Sequence, residues 1–203
     1  MCEGNLLKCT DLGTSSLIYI EYGAGKAGLS SFVAAKLADL HTEAPFEKSK
    51  VLFLVVDRES RRFTKDNQIK KVDFEVERQK VDIADFDLVK YASLRGDSKP
   101  KVIGIAKHLC GGATDLALTS FNKLAEGQLD GLSMATCCHH CCDTKTYVNL
   151  PFIVSEVGIP EHQFNVFVKC SSWAVGPFMS SEKRKLGFKL KRILDLGRLL
   201  FVR

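Results

Sequence analysis

Leu17-Ile-Tyr-Ile-Glu-Tyr-Gly-Ala-Gly-Lys26 decides the fold. Its first four residues are apolar or aromatic, and they run into an acid, Glu21, and then a turn holding Gly23 and Gly25. Leu29, Phe32, Val33, Leu37 and Leu40 follow at helical spacing, so the segment reads as strand, loop and helix. Glycines in such a turn let the backbone approach a ligand, and the helix N-terminus beyond favours negative charge. The turn is not a phosphate loop, because Gly25-Lys26 is followed by Ala27 rather than Ser or Thr. Nor is it the dinucleotide fingerprint, because the third glycine falls at Gly28.

Working outward, Val51 to Val56 is apolar on both faces, as a buried parallel strand is, and it ends at Asp57. Lys80 to Ile83 predicts a shorter third strand with Asp82 at its end, Val102 to Ala106 a fourth, and Gly131 to Thr136 a fifth. A helix is predicted from Ala113 to Leu124, its start marked by Thr114 and Asp115. Glu161 to Ser172 predicts another, and Glu182 to Arg198 a basic amphipathic helix with Leu186, Leu190, Ile193 and Gly197 inward. Strands alternating with helices imply an α/β fold of the Rossmann-like type, a mainly parallel sheet with helices on both faces. Residues 1–203 are expected to form one domain, with its core over about 17–198.

The chain has 203 residues, 45% of them hydrophobic and 26% charged, in the range of ordinary globular proteins. Neither a signal peptide nor a membrane helix is expected, and the protein reads as intracellular, in cytoplasm or nucleus. Five of the eight cysteines lie in or beside the two histidine motifs, which fits reduced thiols better than a disulfide scaffold. The net charge of +5 is unevenly placed. Ser181 to Arg203 carries eight Lys/Arg against two acids, and Arg58 to Lys71 six against two. Such patches attract a polyanion such as nucleic acid.

Two further segments carry chemistry. Lys107-His-Leu-Cys-Gly-Gly112 follows the fourth strand, and Cys137-Cys-His-His-Cys-Cys142 with Asp143 follows the fifth. The second has the ligand types of a zinc site, but neighbouring strand residues point to opposite faces, so no metal is expected there. Glu21, Asp57 and Asp82 at three strand ends are the acceptors that a nucleoside with two ribose hydroxyls and an exocyclic amine requires.

In this order, Glu21 to Lys26, Asp57-Arg58, Arg62, Asp82-Ile83, Lys107 to Gly111, Thr114 to Leu118, Cys137 to His140, Cys142-Asp143 and Ser171 to Ala174 form a recognisable series. Over roughly Ile18 to Arg198 the chain resembles the eukaryotic tRNA 2′-O-methyltransferases that modify the fourth nucleotide of the acceptor stem. The resemblance implies a class I fold that binds S-adenosyl-L-methionine and a tRNA substrate engaged at its acceptor stem. It assigns Glu21, Gly23, Gly25, Asp57, Arg58, Asp82 and Ile83 to the cofactor. Lys107, His108, Cys138, His139, His140 and Asp143 then face the ribose, with a histidine as base, Lys107 as electrostatic support, and Asp143 able to orient a histidine.

The chain departs from the family pattern at Ala27 (usually glycine), Cys141 (arginine), Thr144 (tryptophan) and Asn149 (glycine). These departures leave open a catalytically silent RNA-binding relative, and a methyltransferase for another substrate is the further alternative. The family's zinc-binding N-terminal modules, and the last antiparallel strands expected after Gly197, have no counterpart, so the chain reads as a catalytic core.

Overall fold

A computed structural model describes residues 16–43, 46–95 and 99–202. The chain divides into two compact units. One comprises the chain up to Lys107 together with Lys123–Ala135, and the other comprises His108–Asn122 and Thr136–Arg203.

The first unit is built on five parallel strands: β1 (Leu17–Tyr22), β2 (Val51–Asp57), β3 (Glu75–Lys80), β4 (Lys101–Lys107) and β5 (Leu129–Ala135). Their spatial order is β3-β2-β1-β4-β5. β1 lies centrally, with Ile20 opposite Leu54 on one side and Gly104 on the other. Burial on both faces makes β1 and β2 almost wholly apolar, and their residues are excluded from solvent from Leu17 to Tyr22 and from Val51 to Val56. Helix α1 (Gly28–Glu43) packs Ala34 and Leu37 against Leu17, Tyr19, Val51, Phe53 and Ile103, with Ile69 of α2 (Asp66–Lys71) in the same cluster. Tyr19 stacks on Phe53 with ring centres 5.2 Å apart. A short helix, α3 (Leu88–Ser93), buries Leu88 and Ala92. The order of strands reverses between β1 and β4, and in open parallel sheets ligands bind outside the carboxyl ends at such a reversal. Gly23 and Gly25 follow β1 there, and Lys107 closes β4.

The second unit contains α4 (Gly112–Asn122), a 3-10 turn at His139–Cys141, one π-helical turn at Phe152–Glu156, α5 (Phe164–Cys170) and α6 (Ser181–Phe201). Its core is Cys142, Tyr147, Ile153, Phe164, Phe167, Val168 and Leu194. The Ser180 side chain caps α6 by accepting from the Lys183 amide. Glycine lets α6 approach its neighbours: a Cβ on Gly187 would lie 2.3 Å from the Ala174 nitrogen.

Several expectations are corrected. The third strand is Glu75–Lys80 rather than 80–83; its edge position leaves it polar, so its apolar signal is confined to Val76. Thr114 and Asp115 do mark the first turn of α4, but neither caps it: the Thr114 hydroxyl donates to the Leu109 carbonyl and Asp115 accepts from Arg198. Phe32 is 61% exposed, while Leu29, Val33, Leu37 and Leu40 face the core as expected. On α6 Leu186 is exposed and the buried line runs through Gly187, Leu194, Gly197 and Arg198. The segment predicted as one helix at 161–172 is a 3-10 turn, α5 and a second 3-10 turn over Ser171–Val175.

Candidate active site

In the first unit the glycine turn is held from both sides. Gly23 has φ +65° and Gly25 φ +50°, values glycine adopts without strain, and a Cβ on Gly25 would meet open space. Conformation rather than crowding therefore requires glycine at Gly25. Asp57, last in β2, accepts from the Gly25 amide at 2.7 Å with one oxygen and from the Glu59 amide at 2.8 Å with the other. Arg78 of β3 donates to the Gly25 carbonyl at 3.0 Å and is itself held by Asp66 through two bonds of 2.8 and 2.7 Å. No sequence signal marked Arg78, an arginine in a polar strand.

Glu21 is 4% exposed, and one of its oxygens accepts both the amide of Ser30, at 2.8 Å, and its hydroxyl, at 2.5 Å. Burial pushes this carboxyl above its ordinary value, against the two Ser30 bonds. Glu21 thus ties β1 to the first turn of α1. Asp82 lies just past β3 and accepts from the Ala84 amide at 3.0 Å, opening a 3-10 turn that contains Ile83. Arg58 is exposed beside Asp57.

In the second unit the two histidine loops interlock. Gly111 has φ +57°, and a Cβ on it would lie 2.6 Å from both the Cβ and the carbonyl oxygen of Cys141. A Cβ on Gly112 would come within 2.8 Å of the Thr146 side chain. Both glycines are needed for the loops to touch. His108 precedes them at φ +59°, a conformation uncommon outside glycine and found more often in histidine than in most residues. It is exposed, as is Lys107.

The paired histidines differ in kind. His139 is 3% exposed; its Nε2 lies 2.7 Å from Asp195 Oδ1 and its Nδ1 3.1 Å from the Cys137 carbonyl oxygen. Each ring nitrogen therefore faces a protein oxygen, and neither is turned outward. His140 is exposed. The carboxylate that orients His139 is Asp195 on α6, not Asp143. Asp143 accepts from the Lys145 amide and from the Thr146 amide and hydroxyl, closing its own turn, and those Thr146 bonds hold its carboxyl below the usual range.

Arg198 donates to Asp115 at 3.1 and 2.8 Å, with side-chain exposures of 5% and 0%, and reaches Asp195 at 3.4 Å. A residue that counted toward a basic surface is thus a buried partner. Asn149, one of the departures from the family pattern, donates to the Gly197 carbonyl at 2.9 Å. Lys183 lies over the Trp173 ring at 5.4 Å.

The premise that excluded a metal does not hold. β5 ends at Ala135, so Cys137 and Cys138 lie on a loop rather than a strand, and Cys110 arrives from the other loop. All six cysteines among the described residues are free. No helix of the described residues is long and apolar enough to cross a membrane.

An all-parallel sheet of this order, flanked by helices, with a glycine turn after β1, an acid ending β2 and another just past β3, is a Rossmann-like methyltransferase fold. Residues 2–177 match the family model described as methyltransferase TRM13, and the chain belongs to that family. It is 30% identical to the tRNA:m(4)X modification enzyme TRM13 of Vanderwaltozyma polyspora, an alignment covering 98% of this chain and 52% of that protein. To the tRNA:m(4)X modification enzyme TRM13 homolog of Homo sapiens it is 32% identical, over 77% of this chain and 39% of the relative. The Dictyostelium discoideum homolog of the same name is 28% identical, over 98% and 46%. The chain spans about half the length of the relatives it matches. No solved structure matches it.

Proposed function

We propose that this chain is the catalytic core of an S-adenosyl-L-methionine-dependent tRNA methyltransferase that modifies the ribose 2′-hydroxyl of nucleotide 4 in the acceptor stem. The observation that carries the reading is the contrast between His139, whose nitrogens are both engaged, and the exposed imidazoles of His108 and His140 on the interlocked loops. A 2′-hydroxyl needs a base within hydrogen-bond reach, and an exposed imidazole can supply it. Family membership and the names of the relatives supply the substrate class.

The cofactor residues fit the group assigned to them. Gly23 and Gly25 leave the turn open, and lone pairs remain on Asp57, whose oxygens accept one amide each, and on Asp82, whose Oδ1 accepts one. Glu21 acts here as a positioning residue through Ser30, and Arg58 and Ile83 flank the acids. When bound, S-adenosyl-L-methionine supplies an electrophilic methyl group. The chain supplies alignment and a proton acceptor, His140 or His108, with Lys107 as electrostatic support. Cys138 neighbours the base, and Asp143 shapes the loop. His139 positions that loop on α6.

The exposed cations Arg58, Arg61 and Arg62 in one unit and Lys183, Lys185 and Arg192 in the other hold RNA phosphates. Such an enzyme works in the cytoplasm or nucleus, where its substrate is. The deciding experiment is incubation with labelled S-adenosyl-L-methionine and unmodified tRNA, followed by mapping of the methylated nucleoside. Label on the ribose of nucleotide 4 is expected. A folded chain that binds tRNA but transfers nothing supports the silent relative instead, and label on a base or another RNA overturns the specificity.

A further inference from the structure

We propose that Cys110, Cys137 and Cys138 form a zinc site that clamps the two histidine loops together. Their three Sγ atoms lie within 4.8 Å of one another, and those of Cys110 and Cys137 are 3.2 Å apart. Zinc held by thiolates at about 2.3 Å in a tetrahedron sets sulfurs about 3.8 Å apart, inside that range. Free cysteines usually converge because they are buried as small apolar groups. These are not: Cys110 is exposed, and Cys137 and Cys138 are half-buried. Burial therefore does not explain the cluster, and its exposure leaves the metal a path in.

The loops are braced as a metal site requires. Gly111, next to Cys110, is pressed against Cys141, which fixes the spacing of the two loops. The Cys137 carbonyl accepts from Lys191 Nζ at 3.3 Å and lies 3.1 Å from His139 Nδ1, so the backbone carrying two of the thiols is anchored to α6 through His139 and Lys191. Such outer bonds orient ligands. An all-sulfur set selects a soft or borderline ion such as zinc over magnesium or calcium. The role is structural, since three thiolates joining residue 110 to residues 137 and 138 hold His108 and His140 on one rigid frame. This site rests on geometry alone and stands whatever substrate the enzyme takes.

The test is elemental analysis of the whole chain, purified without chelator from zinc-supplemented culture, paired with replacement of the metal by cobalt. Close to one zinc per chain is expected, together with an intense thiolate-to-cobalt band in the near ultraviolet and the visible bands of a tetrahedral ion. Cys110→Ser and Cys138→Ser should each weaken zinc binding at least tenfold while circular dichroism stays unchanged, and Cys141→Ser should retain zinc. Cobalt titration of the unmodified chain keeps the test valid if a serine variant unfolds. A folded chain without zinc or a cobalt–thiolate band, or one carrying a Cys110–Cys137 disulfide instead, overturns the site. Equal loss of zinc from Cys141→Ser and Cys110→Ser overturns the three-thiolate assignment.

Discussion

His139 and Asp195, 56 positions apart in the chain, are joined by a 2.7 Å hydrogen bond from Nε2 to Oδ1. That bond ties the loop after β5 to α6 and makes two adjacent histidines unequal.

Acid should loosen this tie. Burial alone would raise the Asp195 carboxyl, but the hydrogen bond and charge of His139, then the charge of Arg198, hold it below its ordinary value. For a depressed carboxyl the contribution to stability is complete at neutral pH and is lost as pH falls through the folded-state value, below about 4. Melting temperature followed from pH 7 down to about 3 should fall steeply for the wild type and less steeply for Asp195→Asn, which starts lower. Parallel curves would show that the carboxylate carries no such linkage.

Separate histidine variants should part structure from turnover. His139→Ala removes a buried ring and its contacts with Asp195 and the Cys137 carbonyl, so it should lower the melting temperature. His140→Ala, at an exposed position, should leave melting temperature and tRNA affinity unchanged while methyl transfer falls by about 100-fold or more if its ring is the base. Normal turnover by His140→Ala together with loss in His108→Ala would assign the base to His108.

The buried Arg198–Asp115 pair makes a quantitative prediction. Arg198→Met strands an ionised carboxylate at 0% exposure, and breaking a buried pair from one side costs about 3–5 kcal/mol. The double variant Arg198→Met, Asp115→Leu removes both charges and should recover part of that loss. Urea denaturation of the three proteins measures it, and a double variant no better than the single would locate the loss in packing.

Ala27 sits at φ +60° with no exposure. A left-handed alanine bears roughly 1–2 kcal/mol of strain. Replacing it with glycine relieves that strain but loses a buried methyl worth about 0.8 kcal/mol and frees the unfolded chain by about 0.4–1 kcal/mol. These terms nearly cancel, so Ala27→Gly should change stability by less than about 0.5 kcal/mol. Ala27→Val, which forces a branched side chain into the same conformation against Ala24 and Val55, should cost more than about 2 kcal/mol.

Charge on α6 can be tested through salt. The Lys183, Arg184 and Lys185 triple alanine variant should bind tRNA more weakly, and every cation–phosphate pair it removes should reduce the slope of log affinity against log salt by about 1. The position methylated at saturating tRNA should not change. An unchanged slope would remove this face from the RNA interface.

The local sequence determined the central strands, the glycine turn and the two histidine loops. β1, β2 and β4 were legible because a strand buried on both faces must be a continuous apolar run, and the turn because a tight loop between strand and helix needs glycine. Edge strand β3 was misplaced, since Glu75–Lys80 need not be apolar where one side of the sheet is open. Family membership, too, was written in motifs that keep their order however the chain folds around them.

Only the tertiary structure decided what those motifs do. Asp195 and Arg198 read as two more charges on an amphipathic helix until folding set one beside His139 and the other against Asp115. Asp143, next to the histidines in sequence, closes its own turn, while the carboxylate that matters comes from 56 positions away. Likewise Cys110 joins Cys137 and Cys138 only because Gly111 lets two loop backbones touch. Hydrophobic period and turn chemistry are local and survive in the linear chain. Which donor meets which acceptor depends on how distant segments are brought together, and no local pattern encodes that.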